Sequence, residues 1–480
     1  MMALRTVTIL TVVVLFATAL ESSAQIFRTL TIFDDKNGQG PAAALVQGPD
    51  GDFYGTTAAG GANRYGEVYK ISAKGTLTTL HSFNKTDGMG PGQLSLAGDG
   101  NFYGTTPEGG AHSYGTVFRV TSKGILTTLY NFNYVDGVSP SGGVIQGLDG
   151  NLYGTTAGGG EGKQCNGGGC GTVFRLTLSG GLTTLYTFCP QAGCSDGAEP
   201  YTGLLQGTDG NFYGTTRAGG GGVGCSFGCG TIFKISRTGA LTTLYRFCQQ
   251  DGCPDSAQPL AGLVQANDGN FYGTTGGSGV NGDFGVVFQM TPEGSVTTIH
   301  AFSVNEGQVV YGTLVQGTDQ YLYGAAYQGG DLSCSPPLGC GTLFQVSTGG
   351  ILNVLHLFES PNGTSPHAGL MQATSGVFYG TTYFRGPNSG AGTIFGLSMG
   401  LGPFVSLPRD FGKVGAVEGI LGQGLTGTTA VSFNGVAATF TVKSGSLILA
   451  TVPPGATTGV VTVTTSGGTL TSNVPFYVLP

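Results

Sequence analysis

Ten cysteines are the residues of this chain best suited to chemistry, and they fall into five close pairs: Cys165/Cys170, Cys189/Cys194, Cys225/Cys229, Cys248/Cys253 and Cys334/Cys340. Short spacings serve either zinc or a loop disulfide. Zinc motifs favour a tighter two-residue spacing, usually with His partners, and none of the five His lies near a pair. The expectation is therefore five local disulfides in an oxidising compartment, and no metal. Spacing does not fix which cysteine joins which.

Acidic side chains that could act as acids, bases or calcium ligands mostly obey a repeat. Asp50, Asp99, Asp149, Asp209, Asp268 and Asp319 occupy one recurrent turn, and Asp87, Asp136 and Asp196 a second recurrent position. An Asp in a turn usually bonds its own backbone, whereas calcium needs several oxygens from one neighbourhood. His81, His300 and His356 stand where other copies have Tyr130, Tyr186 and Tyr245, which reads as packing. His112 and His367 fall in connecting loops and read as solvated residues. An enzyme would need groups that break the repeat. The candidates are Glu161, Glu199, Asp283, Glu306 and Asp331, and nothing in the sequence shows that they converge. No catalytic residue and no cofactor is assigned.

The elements that must position these residues are repeats. The Phe-Tyr-Gly-Thr-Thr block at 53–57 returns, with substitutions, at 102–106, 152–156, 212–216, 271–275, 322–326 and 378–382, a period of 49 to 60 residues. This is the length of a propeller blade. Each period reads as four strands: an apolar run before an Asp-Gly turn (44–48, 203–207), the Phe-Tyr block, a third strand such as 115–121 and a fourth such as 125–132. Residues 26–33 match a fourth strand with no first three before it, and the last repeat, ending at 392–398, lacks a fourth. The N-terminal strand would complete the seventh unit and close a ring, so the sequence predicts an all-β, seven-bladed β-propeller over residues 25–400. Glycine in the middle of each second strand is expected to allow close approach between neighbouring sheets. The variable loops, and with them all the cysteine pairs, would emerge on one face.

The chain opens with Arg5, an apolar run over about 7–20, and small residues at Ser22 and Ala24, which reads as a signal peptide over 1–24. No membrane insertion is expected after its removal. A net charge of -7, from 19 Lys+Arg against 26 Asp+Glu, argues against a nucleic-acid partner.

Residues 403–480 change pattern to short strands separated by Gly and Pro turns, as in an Ig-like β-sandwich. The blocks Gly422-Gln423-Gly424-Leu425, Val431-Ser432-Phe433-Asn434-Gly435, Val452-Pro453-Pro454-Gly455-Ala456 and Gly459-Val460-Val461-Thr462-Val463 resemble an IPT/TIG domain. The array before it, with its Asp-Gly, Phe-Tyr-Gly-Thr-Thr and Gly-Thr-Val-Phe blocks, resembles the bacterial GloVer tandem-repeat proteins. That resemblance implies a secreted or cell-surface protein and implies no activity. Asp319-Gln320 and Tyr323-Gly324-Ala325-Ala326 depart from the pattern, so the second strand of the sixth repeat is expected to be less regular.

The function expected from these observations is that of a monomeric, noncatalytic extracellular binding or scaffold protein, whose cysteine-stapled face contacts an unidentified protein or glycan. The alternative is an extracellular carbohydrate-active or other hydrolytic propeller enzyme. Paired carboxylates at the channel mouth would mark the enzyme; a channel lined by Gly, Ser and Thr would speak against it.

Overall fold

A computed structural model describes residues 25–161, 165, 167–222, 224–277, 284–385 and 390–479. The segment read as a signal peptide and the candidate Asp283 lie outside the described residues. Among the described residues the chain is all-β, with a single 3-10 turn at Leu425–Gly427. None of their helices is long and apolar enough to cross a membrane.

The repeats build seven four-stranded antiparallel sheets. In the first repeat the strands are Val46–Gln47, Phe53–Thr57, Glu67–Ile71 and Leu77–Ser82. In the last, Met371–Gln372, Phe378–Thr382 and Thr393–Ser398 are completed by Ile26–Ile32, in a register running from Ile26↔Ser398 to Ile32↔Thr393. The N-terminal segment thus holds the place that the fourth strand fills elsewhere. It also carries the register shift that recurs in the fourth strand of every other sheet, and such a bulge adds local twist.

First strands are shorter than the runs at 44–48 and 203–207 suggest. The backbone just before them faces the neighbouring sheet instead of its own ladder. There, carbonyls accept from the second-strand threonine of the preceding repeat: Thr56 Oγ1 donates to Gly92 O at 2.8 Å, Thr155 Oγ1 to Thr202 O at 2.8 Å and Thr381 Oγ1 to Pro41 O at 2.9 Å. A second link is aromatic. Tyr54 stacks on Phe102 at 4.0 Å, Tyr153 on Phe212 at 4.0 Å, and Tyr379 of the last repeat on Phe53 of the first at 4.3 Å. Each such pair adds about 0.5–1.5 kcal/mol beyond its burial.

A third link is a belt of glutamines. The Oε1 atoms of Gln146, Gln206, Gln265, Gln316, Gln372 and Gln47 accept the N–H of Gly98, Leu148, Thr208, Asn267, Thr318 and Thr374, each in the turn of the preceding sheet, at 2.9 to 3.1 Å. The belt is broken once. Leu96 takes the glutamine position opposite Pro49, which has no N–H to give.

Two expectations need correction. The second-strand glycines make room within their own sheet: a Cβ on Gly104 would lie 2.7 Å from the Phe118 ring, and one on Gly214 would lie 2.5 Å from Phe233, which are their cross-strand partners. The sixth repeat is also regular. Leu322–Ala326 is buried throughout and fully paired with Thr342–Val346, because the ladder needs backbone groups and the two alanines still fill the buried positions.

The C-terminal segment forms a three-stranded sheet (Val417–Leu421, Leu447–Thr451, Phe440–Val442), a four-stranded one (Val436–Ala437, Ala430–Phe433, Val461–Thr465, Gly468–Thr471) and a parallel pair, Phe411–Lys413 with Tyr477–Leu479. Its core holds Val405, Ile420, Val431, Phe433, Ile448, Val461 and Phe476. It sits against the turn end of the repeats, where Ser446 Oγ donates to Pro49 O at 2.8 Å and Phe404 N to Thr374 O at 3.0 Å.

Candidate functional site

The segments leading into the seven first strands converge on one cavity of about 480 Å³, lined by residues 42–44, 90–93, 141–142, 201–203, 311–313 and 367–369 together with Gln258, Leu260 and Gly262. Glycine is required there. A Cβ on Gly142 would lie 2.2 Å from the Thr202 carbonyl carbon, and one on Gly312 would lie 2.2 Å from the Gly369 nitrogen, so backbones meet without side chains between them. The wall is mostly Gly, Ala, Ser, Thr and Gln, and among the described residues no carboxylate lines it.

His367 and Arg217 stand out in it, beside the rings of Tyr201 and Tyr311. His367 is half-buried, stacked on Tyr311 at 4.4 Å, with the Tyr327 ring edge-on at 5.8 Å and Tyr383 at 5.9 Å. Burial holds its imidazole below the ordinary value, against a smaller opposing pull from the Ala42 carbonyl. Its Nδ1 is buried and meets no partner among the described residues. The reading of His367 as a solvated loop residue is thus corrected, since three tyrosines from separate loops enclose it. Arg217 lies 6.0 Å from the centre of the Tyr201 ring and pairs with Glu199 at 3.4 Å.

The four described acidic candidates do not come together at this cavity. Glu161 is exposed, and so is Asp331, whose carboxyl is held low by bonds from Ser333. Glu199 holds Arg217 from outside the lining. Glu306 accepts from His300 Nε2 at 3.3 Å and from Ser303 N at 2.9 Å. Asp87 does the same for His81 at 3.0 Å and for Asn84 N at 2.9 Å, so Glu306 belongs to the repeat, not outside it. Asp136, Asp196 and Asp255 accept from Tyr130, Tyr186 and Tyr245 in the equivalent way. The turn aspartates bond backbone as expected, Asp209 taking Asn211 N at 3.0 Å, and also take the second-strand tyrosine, Tyr213 OH, at 2.9 Å. His356 packs on Phe27 at 3.7 Å, and burial lowers its pKa to about 4. His112 is exposed.

The cysteines stand as five disulfides, Cys165–Cys170, Cys189–Cys194, Cys225–Cys229, Cys248–Cys253 and Cys334–Cys340, consistent with an extracellular location. Inter-sheet connections and second-to-third-strand loops bond to each other, as Val138 N does to Gly158 O at 2.8 Å and Ala198 N to Ala218 O at 2.8 Å. Both sets therefore share the end on which the cavity opens.

The Gloeobacter/Verrucomicrobia repeat profile matches residues 14–225, 164–336 and 222–447. The chain belongs to the Gloeobacter/Verrucomicrobia repeat family. No curated protein matches this Gloeobacter/Verrucomicrobia repeat protein. Among solved structures it is similar to a fungal alcohol oxidase of the AA5 family in complex with copper, at 13% identity over 95% of this chain and 99% of that one, with a TM-score of 0.50. It is also similar to a gluconolactonase from Xanthomonas campestris, at 10% identity over 78% of this chain and 90% of that one, with a TM-score of 0.41. At such identities the likeness is one of fold. Both of these are enzymes by title, so the comparisons side with the alternative of a propeller enzyme against the expectation of a noncatalytic binding or scaffold protein. Among the described residues the cavity lining offers one imidazole and the rings of Tyr201 and Tyr311, with neither cysteine nor carboxylate, and so no second imidazole or soft ligand for copper.

Proposed function

We propose that this chain is an exported hydrolytic enzyme on a seven-bladed β-propeller, closed by its N-terminal strand over residues 25–400 and followed by an Ig-like sandwich of the IPT/TIG type over 403–480. The closing links between the last and first repeats support the propeller: Tyr379 on Phe53, Thr381 to Pro41 and Thr374 to Gln47. The two facing sheets over one apolar core support the sandwich. The protein acts outside the cell as a monomer, without nucleic acid.

The observation that carries the enzymatic reading is the meeting of one imidazole, His367, and one guanidinium, Arg217, on the wall of a single cavity built mostly of small uncharged residues. Concave sites with a few convergent polar groups are where small ligands bind, and about 480 Å³ suits a single sugar-sized molecule. Hydrolysis by two carboxylates needs a pair, and the described residues of the wall supply none. The bond cleaved is accordingly an ester or lactone of a polyhydroxylated substrate. His367, neutral at pH 7, takes a proton from water as the water oxygen adds to the carbonyl carbon; Arg217 faces the developing oxyanion. The tetrahedral adduct collapses, the alkoxide leaves and takes the proton back from the imidazolium.

The test is turnover of aryl esters, sugar lactones and aryl glycosides by the exported protein. Ester or lactone hydrolysis that falls at least about 100-fold in His367→Ala, with the fold intact by circular dichroism, is the expected result. No turnover of either class, or turnover untouched by His367→Ala, defeats the proposal.

A further inference from the structure

Two cysteine pairs that are separate in sequence meet in the third repeat. Cys165 and Cys170 lie in the loop before Thr172–Leu176, Cys189 and Cys194 follow Leu182–Thr187, and their four sulfurs all lie within 4.8 Å of one another. The hairpin sets this meeting: Thr172 pairs with Thr187, and Phe188 N donates to Gly171 O at 3.0 Å, which brings Cys170 beside Cys189. Those two are buried at 0% and 1% exposure among Val173, Phe188 and Ala198, while Cys165 and Cys194 are part-buried toward solvent. The fourth repeat has the same two pairs, yet only Cys225, Cys229 and Cys248 approach so closely there, and Cys253 groups instead with Cys248 and Asp255.

The same hairpin brings the two loops together in both repeats, yet only in the third do all four sulfurs converge. Four sulfurs, two per loop, with a buried side and an open side, match what a tetrahedral thiolate site needs. Zinc about 2.3 Å from each sulfur places the sulfurs roughly 3.8 Å apart. The tight two-residue spacing of zinc motifs is absent from the sequence because here the ligands would come from two loops.

We propose that Cys165, Cys170, Cys189 and Cys194 form a redox-convertible zinc site, held as two disulfides in oxidising surroundings and as a zinc tetrathiolate after reduction. Each disulfide takes two electrons and two protons from a two-electron reductant, such as a protein dithiol that becomes a disulfide in turn. The four thiols then release four protons to solvent as four thiolates close on Zn²⁺. An oxidant of the disulfide class reverses the sequence and expels the ion. The inference does not rest on the hydrolytic reading.

The exported chain, reduced anaerobically with a phosphine, freed of reductant and given Zn²⁺, tests it by metal content after desalting. One zinc per chain is expected, with the visible absorption of a tetrahedral tetrathiolate when Co²⁺ replaces it. Cys170→Ser should bind at least tenfold more weakly, and Cys334→Ser should bind as the parent does. Where Cys170→Ser fails to fold, Cys165→Ser on the open side gives the same readout. No zinc retained by the reduced parent, folded or not, overturns the proposal. So does zinc that survives Cys165→Ser and Cys170→Ser.

Discussion

The two ends of the repeat sheets follow opposite rules. At the turn end one set of bonds recurs. The second-strand tyrosine donates to the turn aspartate in six repeats, at 2.6 to 2.9 Å, and the glutamine belt links six pairs of neighbouring sheets. At the loop end one side-chain bond recurs, from a fourth-strand His or Tyr to an acid in the connection that follows, while the loops themselves vary. The cavity takes its imidazole from the seventh repeat and its guanidinium from the fourth, and the disulfides sit in the third, fourth and sixth. Regular bonds hold the sheets together; the imidazole and guanidinium of the cavity and the disulfides all sit at departures from the repeat. Glu306 looks irregular in sequence and turns out to be the fifth-repeat copy of a structural acid.

The sharpest way to break the comparison is to put a side chain where first strands meet. Gly142→Ala sets a Cβ 2.2 Å from the Thr202 carbonyl carbon and should cost about 2–4 kcal/mol in urea unfolding. Gly168→Ala, in a third-repeat loop, meets nothing nearer than Cys165 O at 3.5 Å and should stay within about 0.5 kcal/mol. Equal effects would mean that the convergence of backbones is not what holds the cavity.

Lowering the pH should separate the ends next. The folded-state pKa of His367 is depressed, so its contribution is intact above about pH 6.5 and declines as pH falls below it, because the unfolded chain binds the proton more readily. At the turn end, burial pushes Asp209 up but bonds from Asn211 and Tyr213 outweigh it, leaving its pKa low. Stability from that bond is kept until the pH falls through the carboxylate range near 4. Hydrogen exchange at pH 5 should therefore show lost protection around Tyr311 and His367 while the Asp209–Tyr213 turn stays protected. Simultaneous loss at both ends would remove the distinction. Asp209→Ala at pH 7 should cost about 1 kcal/mol, since its bond to Tyr213 is charge-assisted but partly exposed.

How much of this was legible in the sequence follows the same division. The Tyr-Gly blocks recur once in every 49 to 60 residues, so the seven sheets and the role of residues 26–33 could be read from the repeat. His367 could not be read in that way. Its burial comes from Tyr311, Tyr327 and Tyr383, on loops whose mutual approach no local pattern records. The glutamine belt was available and missed: Gln47, Gln146, Gln206, Gln265, Gln316 and Gln372 each stand just before a turn, but a surface glutamine carries no signal until its partner N–H is known. The second-strand glycine was visible while its purpose was not, because a ring folded over a glycine within one sheet and close packing between two sheets leave the same sequence mark.

The smallest expected effect concerns the one break in the belt. Leu96 faces Pro49, and the C-terminal segment docks at that gap, Ser446 reaching the Pro49 carbonyl. Leu96→Gln alone gains no acceptor bond, since Pro49 has no N–H, and exchanges apolar burial for a polar amide. Pro49→Thr alone frees an N–H with nothing to receive it. Together they rebuild the link found in the other six places, so the double variant should be about 0.5–1 kcal/mol more stable than the sum of the singles. A coupling of that sign from a urea double-mutant cycle would establish the belt as a cooperative fastening, with the C-terminal segment occupying its open position. Additive singles would mean that each sheet is held by its aromatic pairs alone and that the glutamines merely follow.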